Sequence, residues 1–554
     1  MNKKNVAYLQ IHPKDNVLVA LRDLSEGESI RFGGKEFSLR QAVKAKHKFT
    51  MNPMLKDAEV YMYGVLVGKV NEDLLEGTLL STDNLRHAAE PFKLAARKLD
   101  WEKPDVSAFT GRTFQGFHRS NGTVGTANHW LVIPLVFCEN RNVLTLKTAL
   151  EEKLGYQVQS KDYSNEVDHL IERYKEGASV DDLLNLDLSA GTINQEQKRL
   201  FPNVDGVKFL NHDMGCGGTR MDSDALCGLL AGYITHPNVA GATVLSLGCQ
   251  HAQASILKAE ILKRDPHFDK PLYIFEQQLE GTEQELMQKA IKATFSGLVQ
   301  ADQLKREPAG LDKLCIGLEC GGSDGFSGIS ANPTLGYISD MLISLGGSVI
   351  LSEFPELCGV EQELSDRCLN EEMAERFMQL MKVYNAKAEA DGSGFYMNPS
   401  PGNIRDGLIT DAIKSAGAAK KGGTSPVTAV VDYPELANQK GLNLLCTPGN
   451  DVESTTAEVA AGANIVLFTT GLGTPTGNPI APVIKVSSNT KIYEKMGDII
   501  DLNCGTIIDG EETIAEAAHR ILDYVIQVAS GEIKAKAVLM GQDDFIPWRR
   551  GVSL

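Results

Sequence analysis

Long apolar runs are missing from this chain of 554 residues, and nowhere do about 18 consecutive apolar residues occur, the length a membrane-crossing helix needs. The opening MNKKNVAYLQIHPKDN is basic but has no apolar core of signal-peptide length. A membrane partner and an export signal are therefore not expected, and a cytoplasmic location is. Cysteine is also scarce: ten in a chain this long are too few for a disulfide scaffold, and no CxxC pair exists to build a zinc ribbon or finger. Positive charge is in deficit, with 55 Lys and Arg against 72 Asp and Glu, a net charge of -17. Such a field repels phosphate backbones, which excludes nucleic acid as a partner. A small anionic substrate would need that field reversed locally by a metal ion, a basic cluster or helix N-termini. No GxxxxGK[ST] occurs, and no GxGxxG with an acidic residue placed for a ribose, so no nucleotide is expected.

What is present is an ordinary globular composition, 42% hydrophobic and 23% charged, long enough for two to four domains at roughly 100–200 residues each. Residues 6 to 85 alternate short β-rich runs with Gly-containing turns and predict a small all-β module. Residues 88–115 carry charge and proline with little periodicity, as a linker does. From Phe117 onward, near-continuous apolar runs (WLVIPLVFC, ATVLSLGC, LCIGLEC, NIVLFTTG) alternate with amphipathic stretches such as HAQASILKAEILKR. Strands of that texture are buried on both faces, so α/β domains with a mainly parallel sheet are predicted.

Open α/β sheets bind ligands beyond the carboxyl ends of their strands. Here those ends carry His212 and Cys216, Cys249, Glu319 and Cys320, Glu353 and Glu356, Cys446 and Cys504. One cysteine after a strand is usually a small buried hydrophobe. Recurrence of Cys, His and Glu at several ends resembles a ligand shell, and thiolate with imidazole suits zinc or iron. An iron–sulfur cluster on Cys216, Cys249, Cys320 and Cys504 is an alternative, although the usual close spacings are missing. The loops GLECGGSDGFSG, KKGGTSP and TTGLGTPTGN offer free N–H groups to a carboxylate. Ser400, Asn403, Thr424, Ser425, Thr470 and Thr474 could hydrogen-bond a polyol. In the N-terminal module, Lys44-Ala-Lys46-His47-Lys48 is a basic island, with His47 and Lys48 as a candidate acid–base pair. His118, Arg119, Asn128 and His129 surround GTVGTANHW and form a further candidate binding patch.

Taken in order, IHPKDNVLVALRDLSEGESI, GFHRSNGTVGTANHW, GLECGGSDGFSGISANPTLG, PSPGNIRDGL, KKGGTSP and TPGNDVESTTAEVAAGANIVLFTTGLGTPTGN resemble successive blocks of the altronate and galactarate dehydratases. The resemblance covers nearly the whole chain. It implies a β-clip (SAF) module at 1–88, a linker at 89–115, a middle α/β domain at 116–240 with a part in dimerisation, and a Rossmann-like metal-binding domain at 241–554. It further implies a divalent metal, foremost Fe2+ with Mn2+ or Zn2+ as alternatives, a homodimer, and loss of water from a sugar acid. Metal ligands are expected among His212, Cys216, Cys249, Glu319 and Cys320, with acid–base work by His47 or Lys48. Substrate contacts are expected from Asn128, His129, Ser323, Asp324, Asn403, Thr424, Ser425 and Thr470. Two positions depart from the family pattern: Ala127 stands where Arg is usual, and Cys446 where Asp is usual. Loss of that Arg favours altronate, with one carboxylate, over galactarate, with two. The rival functions are a C–S lyase for a sulfonated hydroxy acid and a non-catalytic sugar-acid binding protein.

Overall fold

The computed structural model describes residues 6–90, 92–93, 98–157, 163–188 and 198–553. Part of the expected linker, 91 and 94–97, lies outside the described residues. Among the described residues no helix is long and apolar enough to cross a membrane.

The N-terminal module is built from short antiparallel strands, as its closely spaced Gly turns dictate. Two strands, Val17–Ala20 and Lys48–Thr50, are wholly buried and share a small core of Leu18, Ile30, Val43 and Phe49. The other side of the module joins the main core through Tyr63 and Val67. Beyond the linker, two parallel sheets follow. A four-stranded sheet runs in the order Gly206–Phe209, His129–Pro134, Val239–Ser246, Leu272–Glu276. The expected domain boundary at 240 falls inside the strand Val239–Ser246, which pairs on both sides within this sheet. The ladder thus carries this domain on through Leu272–Glu276, and the helix Glu283–Ala301 packs against it.

The C-terminal sheet has seven strands in the order Val427–Val431, Gly441–Leu445, Ser348–Leu351, Cys315–Cys320, Ile465–Thr470, Val483–Ser487, Leu502–Asn503, all parallel. Its central strands are buried on both faces, which is why they read as unbroken apolar runs. The two sheets share one core: Leu226, Leu230 and Tyr233 of the helix Arg220–Thr235 pack with Ala457, Ala460 and Phe468 of the C-terminal domain. Gly232 makes that crossing possible, because a Cβ there would stand 2.4 Å from the Ala460 carbonyl.

The chain order places the first strand, Cys315–Cys320, mid-sheet, with its successor Ser348–Leu351 on one side and Ile465–Thr470 on the other. Strand connections therefore diverge at Cys320, the point where open α/β sheets open a crevice. The β module docks near this crevice. Lys48 Nζ donates to the Gly407 carbonyl at 2.6 Å, Thr410 Oγ1 to the Val67 carbonyl at 3.1 Å, and Lys46 reaches the Ser323–Asp324 loop. Gly325 and Gly407 form the seat for Lys46, since a Cβ at either would lie 2.6 or 2.5 Å from the Lys46 carbonyl. Gly325→Ala should therefore loosen this seam at a cost of about 1–3 kcal/mol. A lower melting temperature with faster proteolytic cutting within 89–115 is the expected result, and unchanged values for both would show that the seam does not hold the module.

Candidate active site

Cys320 ends the central strand, and Gly321, Gly322 and Ser323 turn the chain away from it. Gly321 is required by a close approach: a Cβ there would meet Asp451 Oδ2 at 2.1 Å. Two residues past the neighbouring strand, Glu353 adopts a left-handed conformation (φ 60°, ψ 55°) that costs a non-glycine residue about 1–3 kcal/mol. Its N–H donates to Thr447 Oγ1 at 2.8 Å, which helps fix the strained backbone and aims the carboxylate inward. Cys320 Sγ lies 3.5 Å from Glu353 Oε2 and 3.2 Å from Glu356 Oε2.

Both carboxylates are buried and each meets a lysine. Lys421 Nζ donates to Glu353 Oε2 at 2.6 Å, and Lys414 Nζ pairs with Glu356 Oε1 at 2.7 Å. Burial raises the Glu353 carboxyl despite Lys421. Burial also works to raise Glu356, yet Lys414 and Lys421 hold it below the usual carboxylate range. The Cys320 thiol is pushed well up by burial and by the two glutamates. Behind them, burial raises Glu319 strongly, and Ser352, Ser454 and Thr447 link Glu319 to the turn holding Glu353. Burial likewise raises Glu458.

In front of this group lies a cleft of about 560 Å³ lined by Cys320, the Gly321–Ser323 turn, Glu356, Asn398, Ser400, Asn403, Lys414 and Asp451. Asp451 opens the helix Asp451–Ala460 beneath the Asn450 cap, and burial with nearby Glu356 raises its carboxyl to about 6. The donor set fits a divalent ion. Among the described residues, Cys320, Glu353 and Glu356 form the one group of three such side chains with ligand atoms within 4.8 Å of one another. Glu353 Oε1 is buried there without a hydrogen-bond partner, an oxygen that a cation would satisfy. One thiol with two carboxylates suits iron, manganese or zinc.

The expected site residues fall in several places. Cys320, Ser323 and Asn403 line the cleft, and Glu319 lies directly behind it. Asn403 Nδ2 donates to the Ser323 carbonyl at 2.7 Å, while its Oδ1 closes a capping box with Ser400. Asp324 is fully buried and bonded to Phe326, Ser327, Ser488, Asn489 and Lys46, so it organises the loop. Thr424 Oγ1 and the Ser425 backbone N–H donate to Asp340, and Thr470 Oγ1 accepts from the Gly473 N–H. These three build turns outside the cleft lining. Lys48 and His47 also lie outside the lining. The Lys48 ammonium is buried between the Lys46 and Gly407 carbonyls, and burial pulls it down to about 7. Burial lowers half-buried His47 as well.

The others belong to the four-stranded sheet. Asn128 bridges the carbonyls of Asn203 and Ala301, and His129 is buried, with burial holding its imidazole neutral. His212 uses both ring nitrogens, Nε2 on the Pro134 carbonyl at 2.7 Å and Nδ1 for the Met214 N–H at 3.1 Å. Cys216 and Cys249 stand at the carboxyl edge of that sheet and are not in the three-ligand group. Three functional candidates carry no role in the sequence reading, Lys414, Lys421 and Asp451, and Lys46 figures there only as a member of the basic island. A lysine inside the apolar helix Asp411–Ala418 was the available signal for Lys414. Asp451 closes the TPGND block, where an acidic residue opening a helix is the available signal.

A buried thiol–carboxylate cleft at the switch point of a parallel sheet, with a β module docked on the neighbouring Asp324 and Gly407 loops, defines an α/β enzyme whose donor set fits a divalent ion. The chain belongs to the altronate/galactarate dehydratase family. Residues 6–88 match the altronate/galactarate dehydratase SAF domain, 116–302 the D-galactarate dehydratase/altronate hydrolase second domain, and 311–553 the D-galactarate/altronate dehydratase C-terminal domain. The altronate dehydratases of Bacillus subtilis (strain 168) and Escherichia coli (strain K12) are each 32% identical to it. The first covers 95% of this chain and 96% of the relative, the second 95% of each. The galactarate dehydratase (L-threo-forming) of Escherichia coli (strain K12) is 29% identical over 95% of this chain and 93% of the relative.

The raised Asp451 carboxyl carries a stability cost with a definite sign. With a folded value above the ordinary 3.8, its protonated form favours folding, and that stability is lost as pH rises from 3.8 through about 6. The loss is at most about 3 kcal/mol, less where water reaches the side chain. Asp451→Asn should therefore raise the melting temperature at pH 8 relative to wild type, with a smaller gain near pH 4. An equal effect at both pH values would show that the carboxyl is not raised.

Proposed function

We propose that the protein is a divalent-metal-dependent hydro-lyase that converts altronate to 2-keto-3-deoxygluconate, working in the cytoplasm as a homodimer. The observation that carries this is the buried Cys320–Glu353–Glu356 set facing a cleft whose other wall offers hydrogen-bonding groups. Relatives named altronate dehydratase at 32% identity support the choice of substrate.

Dehydration requires a proton to leave the carbon beside a carboxylate, then a hydroxyl to leave the next carbon. A divalent ion held by Cys320, Glu353 and Glu356 would supply Lewis-acid polarisation of the substrate carboxylate. The protein supplies the rest. Ser323, Ser400 and Asn403 offer hydrogen bonds to the hydroxylated chain, and Asn398 extends that wall. Asp451, raised to about 6, takes the proton from the carbon beside the carboxylate, because a base is most effective with a value near the working pH. Lys414, a proton-bearing ammonium at the cleft wall, faces the departing hydroxyl. Lys48 serves from the seam by bonding the Gly407 carbonyl, with Lys46 anchoring the Ser323–Asp324 turn, so the β module stays docked beside the cleft.

Anaerobic incubation with ferrous iron and a panel of aldonates and aldarates, read by 2-keto-3-deoxy acid formation, tests this directly. Product from altronate is expected; product only from galactarate would move the substrate, and none from any sugar acid would overturn the function. Asp451→Asn should lower kcat by about 100- to 10,000-fold while metal content holds. Cys320→Ala and Glu356→Gln should lose bound metal, and full activity of a chelated, metal-free sample would overturn the metal requirement.

A further inference from the structure

Three cysteines away from the cleft share one edge of the four-stranded sheet. Cys138 follows the strand His129–Pro134, Cys216 follows Gly206–Phe209, and Cys249 follows Val239–Ser246. These strands are adjacent and parallel, so all three residues come after carboxyl ends. Hydrogen bonds join their loops. The Phe137 N–H donates to the Met214 carbonyl at 3.0 Å, and the Ala252 N–H to the Gly215 carbonyl at 3.1 Å. Asn140 Nδ2 donates to the His212 carbonyl at 2.8 Å. Each cysteine thus stands within three residues of a bond linking its loop to the next.

Their exposure sets them apart. Free cysteine is among the most buried residue types, yet Cys138 and Cys249 are the two exposed cysteines of the ten, and Cys216 is half-buried. The surroundings are open and polar. A Cβ on Gly217 would meet nothing within 4 Å, and one on Gly218 only Asp222 at 3.9 Å. Asn140 Oδ1 and Asn211 Oδ1, on the same edge, are buried without partners. Arg549 donates to the Asp213 carbonyl at 3.3 Å, which brings a cation against the loop of Cys216, and its Nε is buried without a partner.

A single zinc ion would need the sulfurs about 3.8 Å apart, given Zn–S bonds of about 2.3 Å in a tetrahedron. The three thiols do not form a ligand group within 4.8 Å. A cluster places its thiolates on separate iron atoms and so accepts wider spacing. We propose that Cys138, Cys216 and Cys249 bind an iron–sulfur cluster through three thiolates, leaving one iron without a protein ligand. The cation of Arg549 offsets the negative charge that three thiolates bring to this edge. This site is separate from Cys320 and does not depend on the identity of the substrate.

The test uses the full chain purified under argon from iron-replete cells, assayed for iron, acid-labile sulfide and visible absorption. About four sulfide per chain are expected for a four-iron cluster, with about four iron beyond any held at the Cys320 site and an absorption that dithionite bleaches. Cys138→Ser, Cys216→Ser and Cys249→Ser should each remove most of the sulfide, whereas Cys320→Ser should keep it. Melting temperatures of the variants establish that the fold survives. In the wild-type chain, the exposed thiols of Cys138 and Cys249 should resist alkylation until the cluster is destroyed by air and chelator. Iron without sulfide, zinc at this edge, a disulfide among the three, or thiols alkylated at once in the anaerobic protein would each overturn the proposal.

Discussion

The Lys421–Glu353 ion pair governs the layout of the C-terminal crevice. Both groups are 1% exposed, and an unpaired charge at such depth would cost several kcal/mol. Because Lys421 neutralises Glu353, the chain can hold a left-handed glutamate at the end of the strand Ser348–Leu351 and still keep its carboxylate beside Cys320. Lys414 does the same for Glu356 from a different helix. The helices bearing these lysines are thereby tied to the strand ends by charge as well as by apolar packing. Removing one partner leaves a buried charge uncompensated, which is costlier than the pair is worth.

The β module is tied in by the same kind of bond. Lys46 carries a positive φ of 76° and delivers its ammonium between Asp324 and Asp406, at 2.9 and 3.0 Å. Asp324 is itself the hub of the turn after Ser323, so the position of the module and the shape of the cleft floor are set by one carboxylate. Two glycines, 325 and 407, exist in this role because the Lys46 backbone sits against them.

Much of this organisation was readable from patterns that depend only on local chemistry. Unbroken apolar runs announced a parallel sheet, short runs with Gly turns announced the β module, and GLECGGSD marked the crevice. The placement of individual side chains was not readable in the same way. His212 looks like a ligand in sequence, yet both its nitrogens serve the backbone, and only tertiary contacts decide that. Thr424 looks like a polyol donor, but a buried Asp340 some 84 residues away claims its hydroxyl, and the same carboxylate takes the backbone N–H of Ser425. Lys414 and Lys421 looked like ordinary helix and loop lysines, since burial of a charge depends on a partner brought from a distant part of the chain. The boundary expected at 240 falls within a strand paired on both sides, and whether a strand ends a domain or sits inside one depends on that pairing.

Charge arithmetic at the cleft bears on why an acidic protein would use a cation to handle an anion. Glu353, Glu356 and Asp451 face two lysines, Lys414 and Lys421, while burial keeps Glu319 and Glu458 toward their neutral forms. With all three carboxylates ionised, the site carries an excess of about one negative charge, and a sugar-acid carboxylate adds another. Among the described residues, no unmatched lysine or arginine lines the cleft to absorb that excess. Deep burial makes it costly, because the interior screens charge poorly. A divalent ion on the three-ligand set would cancel both charges at once, where an additional lysine would cancel only one. Burial first, and then the charge of nearby Glu356, hold the Asp451 carboxyl high, so that a proton on it relieves part of that excess.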